Sequence, residues 1–155
     1  MTDRDLLRHT LAVLAYRGAK PLREAPATFA NFDTGGGTTP LVILSHIADL
    51  VEWALSHAQG PGRWPKTTIS DWEGESARFF ANLAQLDAYV ASQQEIKAEL
   101  TRLFQGPIAD ALTHVGQLMM LRRMHGAPVY GENYFVADIV TGRVGPEQSP
   151  PKRPF

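Results

Sequence analysis

The sequence predicts an all-α protein, an antiparallel four-helix bundle followed by an irregular C-terminal extension. Apolar residues recur at helical spacing through four long stretches, each opened by a capping residue or a proline and closed by loop-forming residues. The connections between them are short to medium, which favours antiparallel neighbours. Residues 1–130 read as the bundle domain and 131–155 as the extension, and no internal repeat is visible.

The first helix starts in "TDRDLLRHTLAVLAYRGAK", with Thr2 or Asp3 as N-cap. It places Leu6, Leu7, Leu11, Leu14 and Ala15 on one face and is predicted to end near Gly18. The loop "PLREAPATFANFDTGGGTTP" follows. Its Gly35-Gly36-Gly37 triplet lacks the ending and the preceding strand of a phosphate-binding loop, so it reads as a flexible linker. Helix 2, "TPLVILSHIADLVEWALSHA", takes Thr39 as its cap. Pro40 stands at the first helical position, where a missing N–H does no harm, and Gly60-Pro61-Gly62 close the helix.

A third helix is predicted from Ser70 or Asp71 through "WEGESARFFANLAQLDAYVA". The stretch "SQQEIKAELTRLFQG" reads as a short fourth helix on the capping-box spacing of Ser92 and Glu95. Pro107 then restarts helix at "PIADALTHVGQLMMLRRMHG", which Gly126 and Pro128 terminate. In the remainder, "YFVADIV" reads as a short strand or a helical turn, and the Pro-rich end as a mobile tail.

Composition narrows the function classes. At 155 residues, 44% of them hydrophobic and 20% charged, the chain suits one globular domain rather than wholesale disorder. A formal net charge of −1 gives no electrostatic reason to expect nucleic-acid or membrane-surface binding. The absence of cysteine excludes disulfides, thiolate metal sites and a cysteine nucleophile. The charged N-terminus lacks the apolar core of a signal peptide, and no apolar run approaches the ~20 residues of a membrane span, so a cytoplasmic protein is expected.

The polar residues of the last helix stand out. Asp110 and His114 lie four residues apart in a stretch apolar enough for a core helix. That spacing sets them about 40° apart around the axis and ~6 Å apart along it, so both can face one point. His46 lies along apolar helix 2, flanked by Leu44, Ile47 and Leu50, and helix 2 packed on the last helix would allow it to meet the pair. His125 sits about 16 Å beyond His114, too far to share an ion, and His57 stands similarly to His46. His9 is a candidate for an outer shell. Two readings follow from spacing alone: the three side chains hold a metal ion, or each finds an ordinary hydrogen-bond partner at the bundle's interior or rim.

The elements "ILSHIADLVEWAL" and "DALTHVGQLMMLRR" resemble the two motifs of the DinB/YfiT-like metalloenzyme superfamily, over most of residues 1–127. Members are four-helix bundles of about this length. They place one metal-ligand histidine early in helix 2 and two ligands four residues apart on the last long helix, the second followed by Gly-Gln. His46 matches the first ligand, Asp110 and His114 match the pair, and Gly116-Gln117 match the dipeptide. Most members carry histidine where this chain has Asp110, although some branches carry a carboxylate.

The resemblance therefore implies a metal set of His46, Asp110 and His114, chemically suited to Zn²⁺, Ni²⁺, Fe²⁺ or Mn²⁺. It implies a low-molecular-weight-thiol-dependent transferase or isomerase, or a hydrolase, acting on a small-molecule substrate, with a homodimer as the assembly. A non-catalytic bundle used for dimerisation or partner binding is the competing expectation. Gln117 reads as a hydrogen-bonding support for His114 or as a packing residue. Trp53 reads as core or as a pocket wall, and Trp72, Phe79 and Phe80 as core. Arg122-Arg123 read as complements of the helix dipole. Tyr130, Tyr134 and Phe135 read as a lid over the bundle's open end or as a dimer contact.

Overall fold

The computed structural model describes residues 1–92 and 94–155. They form α1 (Asp3–Leu22), α2 (Pro40–Gln59), α3 (Trp72–Ala91), the single turn α4 (Leu100–Leu103) and α5 (Ala109–Met124), with a π-helical turn over Phe104–Ile108 joining the last two. No strand occurs among the described residues, and one isolated bridge links Glu132 and Pro154.

Three caps follow directly from side-chain chemistry. Thr2 accepts the Asp5 amide while the Asp5 carboxylate accepts the Thr2 amide, closing a capping box on α1. Thr39 accepts from the Val42 N–H ahead of Pro40, and Asp71 from the Gly74 N–H. α1 and α2 each pack on both α3 and α5. Leu11 and Leu14, Leu44 and Ile47, Phe79 and Leu83, and Val115 and Leu118 meet in one core. Each such side chain contributes roughly 1.5–3 kcal/mol by leaving water. α2 is long and apolar enough by composition to cross a membrane, yet half of its most apolar window is buried inside the fold.

Several boundaries differ from the sequence expectation. α1 does not stop at Gly18 but runs to Leu22, because this glycine serves packing rather than termination. A Cβ there would lie 2.9 Å from the Phe79 ring, so the missing side chain lets α3's aromatic press against α1. Leu6, assigned to the buried face, is exposed.

The short helix expected from Ser92 begins, among the described residues, only at Leu100. Ser92 instead donates to Tyr89 O at the end of α3, and the Glu95 carboxylate pairs with Lys97. The segment's polar groups are engaged from a distance: Arg4 donates to the carbonyls of Val90, Ser92 and Gln94, and the Lys97 amide donates to Ala58 O. Residue 93, within that expected helix, lies outside the described residues.

Pro107 does not restart a helix. The chain is helical without a break from Leu100 to Met124, and Pro107 sits in the π turn, where the Ala109 N–H reaches back five residues to Phe104 O. A wider turn accommodates a ring that cannot donate an i→i−4 bond. "YFVADIV" is neither strand nor helix, but turns and irregular chain.

Arg122, in the last turn of α5, is buried. It donates to the carbonyls of Pro21, Arg23 and Ala127, joining the end of α5 to the end of α1. The extension is fastened to α1. Buried Glu132 accepts from Tyr16 Oη at 2.6 Å and Lys20 Nζ at 2.7 Å, both through Oε1. Burial alone would raise the Glu132 carboxyl, but bonds from Lys20 and Tyr16 outweigh it and leave the pKa below the ordinary value. Burial, reinforced by Glu132, raises the Tyr16 phenol. The end of the chain returns to this point, with Asn133 donating to Arg153 O and Phe155 to Gly131 O. Val144 enters the core.

Candidate metal centre

α2 and α5 pack side by side, and their contact brings together the three residues singled out in the sequence. One ligand atom from each of His46, Asp110 and His114 lies within 4.8 Å of the other two. His46 Nε2 is 3.8 Å from Asp110 Oδ2, and His114 Nε2 is 3.4 Å from Asp110 Oδ1. The imidazole centroids are 4.7 Å apart with the rings at 89°.

These separations suit an ion. Two donors each ~2.0–2.1 Å from a tetrahedral metal stand about 3.3–3.4 Å apart, close to the 3.4 Å and 3.8 Å that separate the two imidazole nitrogens from the Asp110 carboxylate. Neither imidazole–carboxylate contact has hydrogen-bond length and alignment. The three groups instead face a common point.

Neighbouring residues fix the ligands' orientation. Gln117, one turn after His114, places its carbonyl oxygen 2.7 Å from His114 Nδ1. That contact draws the ring proton to Nδ1 and leaves the Nε2 lone pair directed at the cluster, the tautomer a metal requires. On α2, the turn bearing His46 is tied to α3 by Arg78, which donates to Ser45 O and to the carboxylates of Asp49 and Glu75. Burial would lower the Arg78 pKa, but these carboxylates prevail and raise it.

The cluster is a rim site, not a core site. Asp110 keeps 50% of its side chain exposed, His46 37% and His114 21%. With half of its side chain in water, Asp110 does not demand a partner as a buried carboxylate would. Beside the ligands opens a cleft of about 610 Å³, walled by Val42, Ile43, Met120 and Leu121, with Thr34 and Thr38 among its polar lining. Its size falls within the range of small-ligand sites.

Other sequence expectations sort clearly. His57 and His125 lie outside the cluster, as the spacing requires. His57 packs on Trp53, and His125 between Phe29 and Phe32. His9 is no outer shell for the cluster; its Nδ1 meets Thr141 Oγ1. Trp53 does not wall the cleft and stacks instead on His57 and Trp64. Phe79 and Phe80 are core residues. Tyr134 does not close over the ligands: it packs against Tyr16 and under Arg17, on α1.

Two contributors escaped the sequence reading. Trp64 lies 5.6 Å from the His46 ring, centroid to centroid, and shields one side of it. It comes from a Gly- and Pro-rich connection with no helical period, so its only signal was a large aromatic outside every predicted core face. The other is the Thr34–Thr38 segment, read as a linker. No family model, curated protein or solved structure matches the chain.

Proposed function

We propose that this chain is a divalent-metal-dependent enzyme of the DinB-like type, an antiparallel four-helix bundle that holds its ion through His46, Asp110 and His114. The observation that carries this reading is the convergence of two imidazole nitrogens and a carboxylate on one point, with Gln117 fixing the His114 tautomer. Convergence from two different helices is far more specific than the i,i+4 spacing that suggested it.

Three protein ligands leave coordination positions for water or substrate. When bound, a divalent ion supplies Lewis acidity there, lowering the pKa of a ligated water or thiol and polarising a carbonyl. The chain's own residues do the positioning. His46 and His114 offer neutral donors, Asp110 cancels one of the ion's two charges, and the cleft admits substrate beside them. A low-molecular-weight-thiol-dependent transfer or isomerisation is the reaction class proposed, with hydrolysis as its variant. The lack of cysteine accords with a thiol brought by the cosubstrate. A second copy of the chain as partner belongs to the same reading.

The test is metal content of tag-free protein by plasma mass spectrometry, with His114→Ala and Asp110→Ala alongside. One equivalent in the parent and none in either variant is the expected result. Retention in Asp110→Ala would remove Asp110 from the ligand set. The competing reading, a bundle without firm metal binding, draws on the half exposure of Asp110. A parent that stays empty after incubation with Zn²⁺, Ni²⁺ and Mn²⁺ would establish it.

A further inference from the structure

We infer that the cleft between α2, α5 and the Thr34–Thr38 segment receives the uncharged, apolar body of a ligand whose single anionic donor reaches the metal centre. This rests on the metal reading above and adds the chemistry of what binds there.

Charge is the first ground. His46 and His114 line both the centre and the cleft, so a ligand anchored at the ion extends along this wall. Two neutral imidazoles and one carboxylate around a divalent ion leave a net charge of about +1, which one anionic donor neutralises. Among the described residues no lysine or arginine lines the cleft. A second anionic group on the ligand would enter the apolar cleft without a counterion.

Surface chemistry is the second ground. Val42 and Met120 remain 41% and 50% exposed although large and apolar, and both turn toward this cleft with Ile43 and Leu121. The polar lining beyond the ligands is Gln117 and two threonines, enough to orient an uncharged group.

The third ground is the loop itself. Asp33 Oδ1 accepts the amides of Gly35 and Gly37, at 2.8 and 3.2 Å, and both glycines hold positive φ, 92° and 74°. The glycine triplet is thus a formed turn that carries Thr34 and Thr38 to the cleft.

Hydroxamates serve as probes, since their head is a monoanionic metal donor with a variable tail. Protein loaded to one equivalent with whichever of Zn²⁺, Ni²⁺ and Mn²⁺ it takes up is titrated calorimetrically with acetohydroxamate, hexanohydroxamate and succinate monohydroxamate. Metal content is read after each titration. Each fully buried methylene is worth about fourfold in affinity, so the half-open cleft should favour hexanohydroxamate over acetohydroxamate by about tenfold or more. The carboxylate-tailed probe should bind no tighter than acetohydroxamate.

Val42→Asp, at an exposed position in the first turn of α2 where a carboxylate suits the helix, should cut the chain-length gain below about threefold with metal uptake unchanged. Val42→Leu should keep the gain. Equal binding of the two aliphatic probes would overturn the inference. So would carboxylate-tailed binding as tight as hexanohydroxamate, or an undiminished gain in Val42→Asp. Failure of metal uptake itself would instead sink the metal reading, and with it this one.

Discussion

Glu132→Ala probes how the C-terminal extension is held. The Glu132 side chain is fully covered and lies 2.6 Å from Tyr16 Oη and 2.7 Å from Lys20 Nζ, whose own side chain is 12% exposed. Truncation leaves a nearly buried ammonium without its carboxylate and a buried phenol without its acceptor. Breaking one partner of such a pair costs about 3–5 kcal/mol. Lys20 also lies 5.5 and 5.6 Å from the Tyr16 and Tyr134 ring centroids, and that residual cation–π attraction favours the low end, about 3 kcal/mol. For a chain of this length the expected fall in Tm is about 6–12 °C, followed by circular dichroism at pH 7.

The pH dependence has a definite sign. The native Glu132 pKa is lowered, so its contribution is present above the usual carboxylate pKa of about 4.3 and is lost as pH falls through the lowered native value. Parent and variant curves should therefore converge in acid. Combining Glu132→Ala with Lys20→Met should cost less than the sum of the two changes, because the orphaned charge is gone. A Glu132→Ala Tm within 1 °C of the parent, or strictly additive costs, would refute the latch.

Three further outcomes test other parts of the fold and site. Gly18→Ala should destabilise by about 1–3 kcal/mol in urea denaturation, since its methyl would press into the Phe79 ring at 2.9 Å. Gly116→Ala should stabilise by roughly 0.5–1 kcal/mol, because Gly116 is exposed inside α5 with nothing within 4 Å of a new Cβ; a loss would mean that something covers this face. A metal at about 100 times its dissociation constant should add about 2.7 kcal/mol, raising Tm by roughly 5–10 °C in the parent and not in His114→Ala.

Sequence alone carried the helical class, three long helices with their caps, and the three residues that meet between α2 and α5. These are local or periodic properties. A Thr or Asp oxygen caps the amides three residues on, and an i,i+4 pair must share a face, whatever surrounds it. The interaction of Gln117 with His114 was legible for the same reason.

Tertiary structure decided what depends on distant partners. Gly18 looked like a helix stop until Phe79 of α3 occupied the space beside it. Ser92 and Glu95 had a capping spacing, but Arg4 engaged the carbonyls around them. Arg122 looked like a complement to the helix dipole and is a buried clasp on α1, and Trp64 reached His46 from a loop without periodicity. Above all, the exposure of Asp110 could not be read from its apolar neighbours in the chain. Which side of a helix is covered is set by the helices packed against it, and that packing, not the local pattern, made the centre an open rim with a cleft beside it.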